Sequence, residues 1–187
     1  MIRTALAATG AAVICAFAAF TGPRLPFDGT IVSHKVADVV LTDDHGRAYR
    51  FGDVPVRGTI VVVGYTRCRD QCPMTMARVT AAVARLPLRS RPRVVFLTID
   101  PERDTAADLR RFTSIWSVPV VGITGSRSDL ERAVSSLGSV MPGPGAVLLH
   151  DARIAFIAGD GEVRASVESD AGDGRVSEAL RSIGPPP

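Results

Sequence analysis

Cys68 and Cys72 are separated by three residues and followed at once by Pro73, a spacing that leaves few chemical options. A disulfide stabilises a protein mainly by restricting its unfolded chain, and that effect shrinks with the length of the closed loop. A bridge between these two would be a poor staple. Two thiols this close suit disulfide exchange or metal ligation instead, and both act through the thiolate. The only other cysteine, Cys15, lies in an apolar stretch behind the bulky Ile14, which argues against a lipoprotein acceptor. It reads as a small apolar residue.

Such a pair needs a scaffold that holds it at a cleft. The apolar run 59–65 reads as a strand buried on both faces, and 73–86 as the helix that follows. The thiols thus fall where a strand hands over to a helix. In open α/β sheets ligands bind beyond the carboxyl ends of strands, and a helix N-terminus offers free N–H groups and a positive dipole end. Arg67 and Arg69 favour the thiolate in the same way. Pro73 fits the first helical turn, where its missing N–H costs nothing. With Cys68 at the helix entrance the sulfurs stand about one turn apart, within reach of one metal ion or of each other.

Around this unit, segments 36–42 and 48–51 alternate on either side of Asp44-His45-Gly46, the pattern of a β-hairpin. Strand 93–99, helix 105–116, strand 118–124 and helix 129–137 come next. Beyond Met141-Pro142-Gly143-Pro144-Gly145 lie strands 146–149 and 154–158, the turn Gly159-Asp160-Gly161, a last strand and a short helix over 176–183. This alternation predicts an α/β sheet with parallel crossovers. Thr105 with Asp108 and Ser126 with Asp129 have capping-box spacing.

A chain of 187 residues, 46% hydrophobic and 22% charged, has room for one domain, without internal repeats. A net charge of +3 spread over scattered arginines argues against a nucleic-acid face, and Lys35 is the only lysine. Arg3 precedes an apolar stretch, 4–22, that carries no charge. It approaches the ~20 residues of a membrane span and also contains Ala16-Phe17-Ala18, which resembles a signal-peptidase site. Residues 1–23 are therefore an anchor or a signal peptide, 24–35 a linker and 36–187 the domain, placed outside the cytoplasm. Disulfides can persist in that compartment.

The run Gly64-Tyr65-Thr66-Arg67-Cys68 through Cys72-Pro73 resembles the signature of the SCO/SenC family of copper-delivery and respiratory-oxidase assembly proteins. Asp100-Pro101-Glu102-Arg103-Asp104-Thr105 is similar to that family's second motif, and Gly122-Ile123-Thr124-Gly125 to its third landmark. The resemblance runs from about Val36 to the end, and includes the N-terminal membrane segment. It implies a thioredoxin-like fold with an N-terminal β-hairpin and an inserted hairpin carrying His150. Copper would be held by Cys68, Cys72 and His150.

Of the three histidines, His150 ends an apolar strand, and Asp160-Gly161-Glu162 follows it at the family's spacing. His45 in the hairpin turn and His34 in the linker read as solvated. Arg69 stands where the family commonly has proline, and Leu149-His150-Asp151 replaces Asp-His-Ser. Two thiolates and one imidazole suit three-coordinate Cu(I), and Cu(II) with an added ligand. Structural zinc wants four protein ligands, and no fourth is evident. Met74, Met76 and Met141 read as core filler, as does Trp116. In 100–105, Pro101 and Thr105 turn the chain into a helix, and Arg103 with Asp104 reads as a local ion pair in preference to a partner-facing patch.

The resemblance implies a bacterial, monomeric copper chaperone rather than an enzyme, on the cytoplasmic membrane and facing the periplasm or cell exterior. Its partners would be a copper donor, a copper-accepting oxidase subunit and the membrane, with no nucleic acid. The alternative is a thiol-disulfide oxidoreductase using Cys68 and Cys72. Dedicated reductants of that kind use Cys-x-x-Cys, and they have no evident need of His150.

Overall fold

The computed structural model describes residues 34–143 and 153–183. The segment 1–23, nearly all of the expected linker, strand 146–149 and His150 lie outside the described residues. At the centre runs β3 (Thr59–Gly64, TIVVVG), with every side chain buried. Its alternation divides two cores. Ile60 and Val62 face one side together with Phe96, Phe156 and the helix residues Met76 and Val79. Val61 and Val63 face the other with Leu97, Ala155, Leu130 and Phe51. Full burial of each such side chain stabilises the fold by about 1.5–3 kcal/mol, so the continuous apolar run needs cover on both faces.

That cover comes from the elements on either side. The first hairpin is β1 (Val40–Asp43) and β2 (Ala48–Arg50). After β3 come α1 (Gln71–Ala84), β4 (Arg93–Thr98), α2 (Ala106–Thr113), β5 (Val120–Thr124) and α3 (Arg127–Ser135). Then follow β6 (Arg153–Ile157), β7 (Val163–Glu168) and α4 (Asp173–Ser182). The seven strands form one sheet in the order β2-β1-β5-β4-β3-β6-β7. β3, β4 and β5 are parallel neighbours, and β1, β6 and β7 join antiparallel. This is the expected α/β sheet, with parallel crossovers through α1 and α2.

Several boundaries differ from the sequence reading for local reasons. Residues 36–38 do not extend the hairpin, whose last rung is Phe51 N–H donating to Val39 O at 2.9 Å. Val36 N–H instead donates to Gly161 O (3.0 Å) and His34 O accepts from Val163 N–H (3.0 Å), so the incoming chain docks at the turn between β6 and β7. His34 is accordingly not solvated: its Nε2 lies 2.6 Å from Ser136 O, at the end of α3. α1 begins at Gln71, two residues before Pro73, and takes Cys72 into its first turn. α2 stops at Thr113 with Ser114 as C-cap, which leaves Trp116 beyond the helix, half-buried and edge-on to Phe112 at 5.6 Å. The Thr105–Asp108 capping box forms with both hydrogen bonds, and Ser126 caps α3 by accepting from Asp129 N–H. Among the described residues no helix is long and apolar enough to cross a membrane.

Candidate functional site

Cys68 sits in the turn between β3 and α1, its N–H donating to Tyr65 O at 3.2 Å, while Cys72 lies one turn along at the start of the helix. The two are free thiols, 8% and 2% exposed. Cys72 N–H donates to the Cys68 sulfur at 3.4 Å, so a helix N-terminal amide is aimed at the thiol that needs it.

The two sulfurs differ electrostatically. At Cys68 burial disfavours the thiolate. It is outweighed by the N–H groups of Cys72 and Asp70 and by the Cys72 and Tyr65 side chains, and the thiol ends below its ordinary value. Cys72 is buried more deeply, beside Cys68 and the Asp104 carboxylate, and its thiol is pushed up to about 12. The Tyr65 hydroxyl in turn is raised, first by burial and then by the neighbouring sulfurs.

Gly64, the last residue of β3, makes room for this arrangement. A Cβ there would lie 2.7 Å from Cys72 Sγ and 3.1 Å from the Phe96 ring, so only glycine lets the sulfur pack against the strand end. The Phe96 ring packs against Phe112 at 4.4 Å, tilted by 39°, and Phe112 meets Trp116. The apolar wall beside Cys72 thus extends through three aromatic residues.

Behind the turn lies Asp104, 1% exposed. Thr66 N–H and Thr66 Oγ donate to its two oxygens at 3.0 and 2.5 Å, and Thr98 Oγ donates at 2.6 Å. One carboxylate therefore ties the cysteine turn to the end of β4. The expected Arg103–Asp104 pair does not form. The 100–104 turn directs Asp104 inward, its N–H bonded to Asp100 O at 2.9 Å, and Arg103 pairs instead with Asp100 at 2.7 Å. Glu102 receives both ends of the Arg127 guanidinium at 2.8 and 2.7 Å, and Arg127 also donates to Pro142 O at 2.9 Å.

Cys68 and Cys72 are thus brought together, and His150 falls outside the described residues. His45 is exposed, with Nε2 3.9 Å from Asp44 Oδ1. Met76 is core and Met141 packs at the margin of the α3-side core, as read, whereas Met74 is half exposed. Among the described residues no group of three or more His, Cys, Asp or Glu side chains is placed to hold a metal ion. Gly64, Tyr65, Thr66 and Asp104 are the site residues whose roles the sequence reading missed. Their only local signal was membership of the two motifs.

A seven-stranded α/β sheet with adjacent free thiols at a strand-to-helix turn defines a thiol-bearing member of the thioredoxin-like class. A family model described as SCO1/SenC matches residues 30–184, and the chain belongs to the SCO1/SenC family. Protein SenC of Rhodobacter capsulatus is 33% identical over 97 residues, which span 51% of this chain and 44% of SenC, less than half of that protein's length. The solution structure of apo Sco1 from Thermus thermophilus is 26% identical with a TM-score of 0.70, covering 87% of this chain and 99% of that one. The crystal structure of Arabidopsis thaliana ScoI with copper bound shares the fold, with a TM-score of 0.70 at 19% identity, over 80% of this chain and 98% of that one.

Proposed function

We propose that this chain binds copper through the sulfurs of Cys68 and Cys72 and the imidazole of His150, and passes it by ligand exchange to the copper centre of a haem-copper respiratory oxidase. The observation that carries the reading is the unbridged pair: two buried sulfurs on one turn, the helix amide of Cys72 directed at Cys68. Two soft donors and one imidazole make a three-coordinate set for Cu(I). A set short of four protein ligands leaves the ion open to an incoming thiolate, which delivery requires. Membership of the SCO1/SenC family supports copper as the cargo, and BsSco, which shares the fold, is a member of the Sco family of cytochrome c oxidase assembly proteins. Delivery takes place outside the cytoplasm of a bacterium, with residues 1–23 as anchor or cleaved signal and the domain acting as a monomer.

His150→Ala in the full chain tests the ligand set. Cu(I) affinity falls by more than about 100-fold, because losing a ligand costs more than the 10–100-fold typical of losing its outer partner. Exchange with a small disulfide stays within a factor of about two. Unchanged Cu(I) affinity would refute His150 as a ligand.

The asymmetry of the thiols favours a second reading on the same residues. A Cys68 thiolate attacks a partner disulfide, and Cys72 resolves the mixed disulfide, which releases the partner as a dithiol and leaves Cys68 bonded to Cys72. A chain that reduces the acceptor's cysteines before loading them would do both.

A further inference from the structure

The opposite end of the sheet carries a feature of a different kind. Residues 85–93, Arg-Leu-Pro-Leu-Arg-Ser-Arg-Pro-Arg, hold four arginines and no acid. Past α1 they form a 3-10 turn, Leu88–Ser90. Arg91 folds back on the unsatisfied carbonyls at the helix end, with Nε on Leu86 O (2.9 Å) and an Nη on Ala84 O (2.7 Å). Arg57, brought in from the loop before β3, donates to Leu88 O and Arg89 O, both at 3.3 Å. Arg93 donates to Tyr49 Oη (3.1 Å) and Asp53 O (3.0 Å), with its guanidinium 5.6 Å from the Tyr49 ring centre.

These arginines surround a cavity of about 310 Å³ whose apolar lining includes Pro55, Leu88 and Val118. No Asp or Glu lines it. Arg57, Arg89, Arg91 and Arg93 form no ion pair among the described residues, whereas Arg47, Arg50, Arg103, Arg111, Arg127 and Arg132 each do. Each guanidinium has five N–H donors, and Arg91 uses two of its nitrogens on carbonyls while Arg57 and Arg93 use one each. Fixed guanidiniums with donors to spare and no carboxylate suit a tetrahedral oxyanion such as phosphate.

Two further observations bear on where the anion comes from. Leu88, which lines the cavity, is 75% exposed, and Val56, between the lining residues Pro55 and Arg57, is 79% exposed; apolar prongs beside cations fit a lipid interface better than a free ion in water. The chain also enters the domain at this end of the sheet. His34 and Val36 pair at the β6–β7 turn, where β6 finishes opposite Thr59, and Thr59 in turn lies beside Arg93. The residues before that entry include the uncharged apolar stretch 4–22.

We propose that the cavity ringed by Arg57, Arg91 and Arg93 binds the phosphate of an anionic phospholipid headgroup, with Leu88 and Val56 entering the bilayer interface. The domain then stands on the amino ends of β3, β4 and β5, and the thiols point away from the membrane. The proposal goes beyond the copper reading and does not depend on it.

The test uses the full chain in nanodiscs of phosphatidylcholine, alone or mixed with phosphatidylglycerol, and reads backbone hydrogen exchange at residues 88–91. Phosphatidylglycerol should slow exchange there roughly fivefold, the ratio one well-placed arginine supplies at an anionic surface. The protection should vanish in Leu88→Glu and in Arg57→Glu, and persist in Arg181→Glu on α4. Equal exchange in both discs, or protection that survives both altered variants, would overturn the proposal. Full protection by inorganic phosphate in phosphatidylcholine discs, with none added by phosphatidylglycerol, would overturn the lipid assignment in favour of a soluble anion.

Discussion

The carboxyl ends of β3 and β4 and the amino ends of the same strands handle charge in opposite ways. Behind the thiols the buried Asp104 is met by three donors, Arg103 is paired with Asp100, and Arg127 is paired with Glu102. At the far end Arg57, Arg91 and Arg93 hold carbonyls and a phenol, with no carboxylate. A closed set of partners fixes two sulfurs in place, as a metal or exchange site requires. An open set of cations is fixed as well, but its charge is left for an anion that the fold does not supply.

The largest expected effect sharpens the first half of that comparison. Burial takes Cys72 from an ordinary 9.0 to about 12, which leaves roughly a thousandfold less thiolate than a free thiol at the same pH, while Cys68 lies below 9.0 and has more. The scarcer Cys72 thiolate is the stronger nucleophile, which offsets part of that ratio, so iodoacetamide at pH 8 should alkylate Cys68 roughly 50-fold faster than Cys72 in the folded, reduced protein, by mass spectrometry of the peptides. Raising the pH should keep increasing the Cys72 rate for as long as the fold survives, whereas the Cys68 rate should level off at a lower pH than that of a free thiol. Comparable rates at the two cysteines would break the asymmetry.

Asp104→Asn comes next. An amide cannot accept from all three of its present donors as a carboxylate does, so Cu(I) affinity should fall about 10–100-fold and stability by about 1–3 kcal/mol. Competition with a colorimetric Cu(I) chelator and urea melts measure the two. Gly64→Ala places a methyl against Cys72 Sγ and Phe96, at a cost of about 1–3 kcal/mol in urea unfolding, and should also change the alkylation ratio. The smallest effect belongs to the other end. Arg91→Gln uncovers two helix-end carbonyls and should cost about 1 kcal/mol, with thiol alkylation unchanged. A change of alkylation in that variant would show that the two ends are coupled.

What the sequence reveals of this molecule depends on how local each signal is. The thiol pair at a strand-to-helix turn, the Thr105 and Ser126 caps and the central apolar strand are written within a few residues, and all are found in the structure. The role of Asp104 was hidden because Thr66 lies 38 positions away, and Arg103 beside it offered a nearer but wrong partner. Gly64 looks like an ordinary strand end until Cys72 folds back on it. His34 and Val36 resembled linker because their partners, Ser136 and Gly161, are remote in the chain. The arginines looked scattered for the same reason: Arg57 joins Arg91 and Arg93 only once β3 and β4 lie side by side.

The measurement that bears most directly on the central claim is equilibrium Cu(I) competition on the full chain, wild type against the Cys68→Ser, Cys72→Ser double variant, both checked for folding. Without its two soft ligands the double variant should bind Cu(I) more than about 100-fold more weakly than wild type. Equal affinity in the two proteins would contradict the copper assignment.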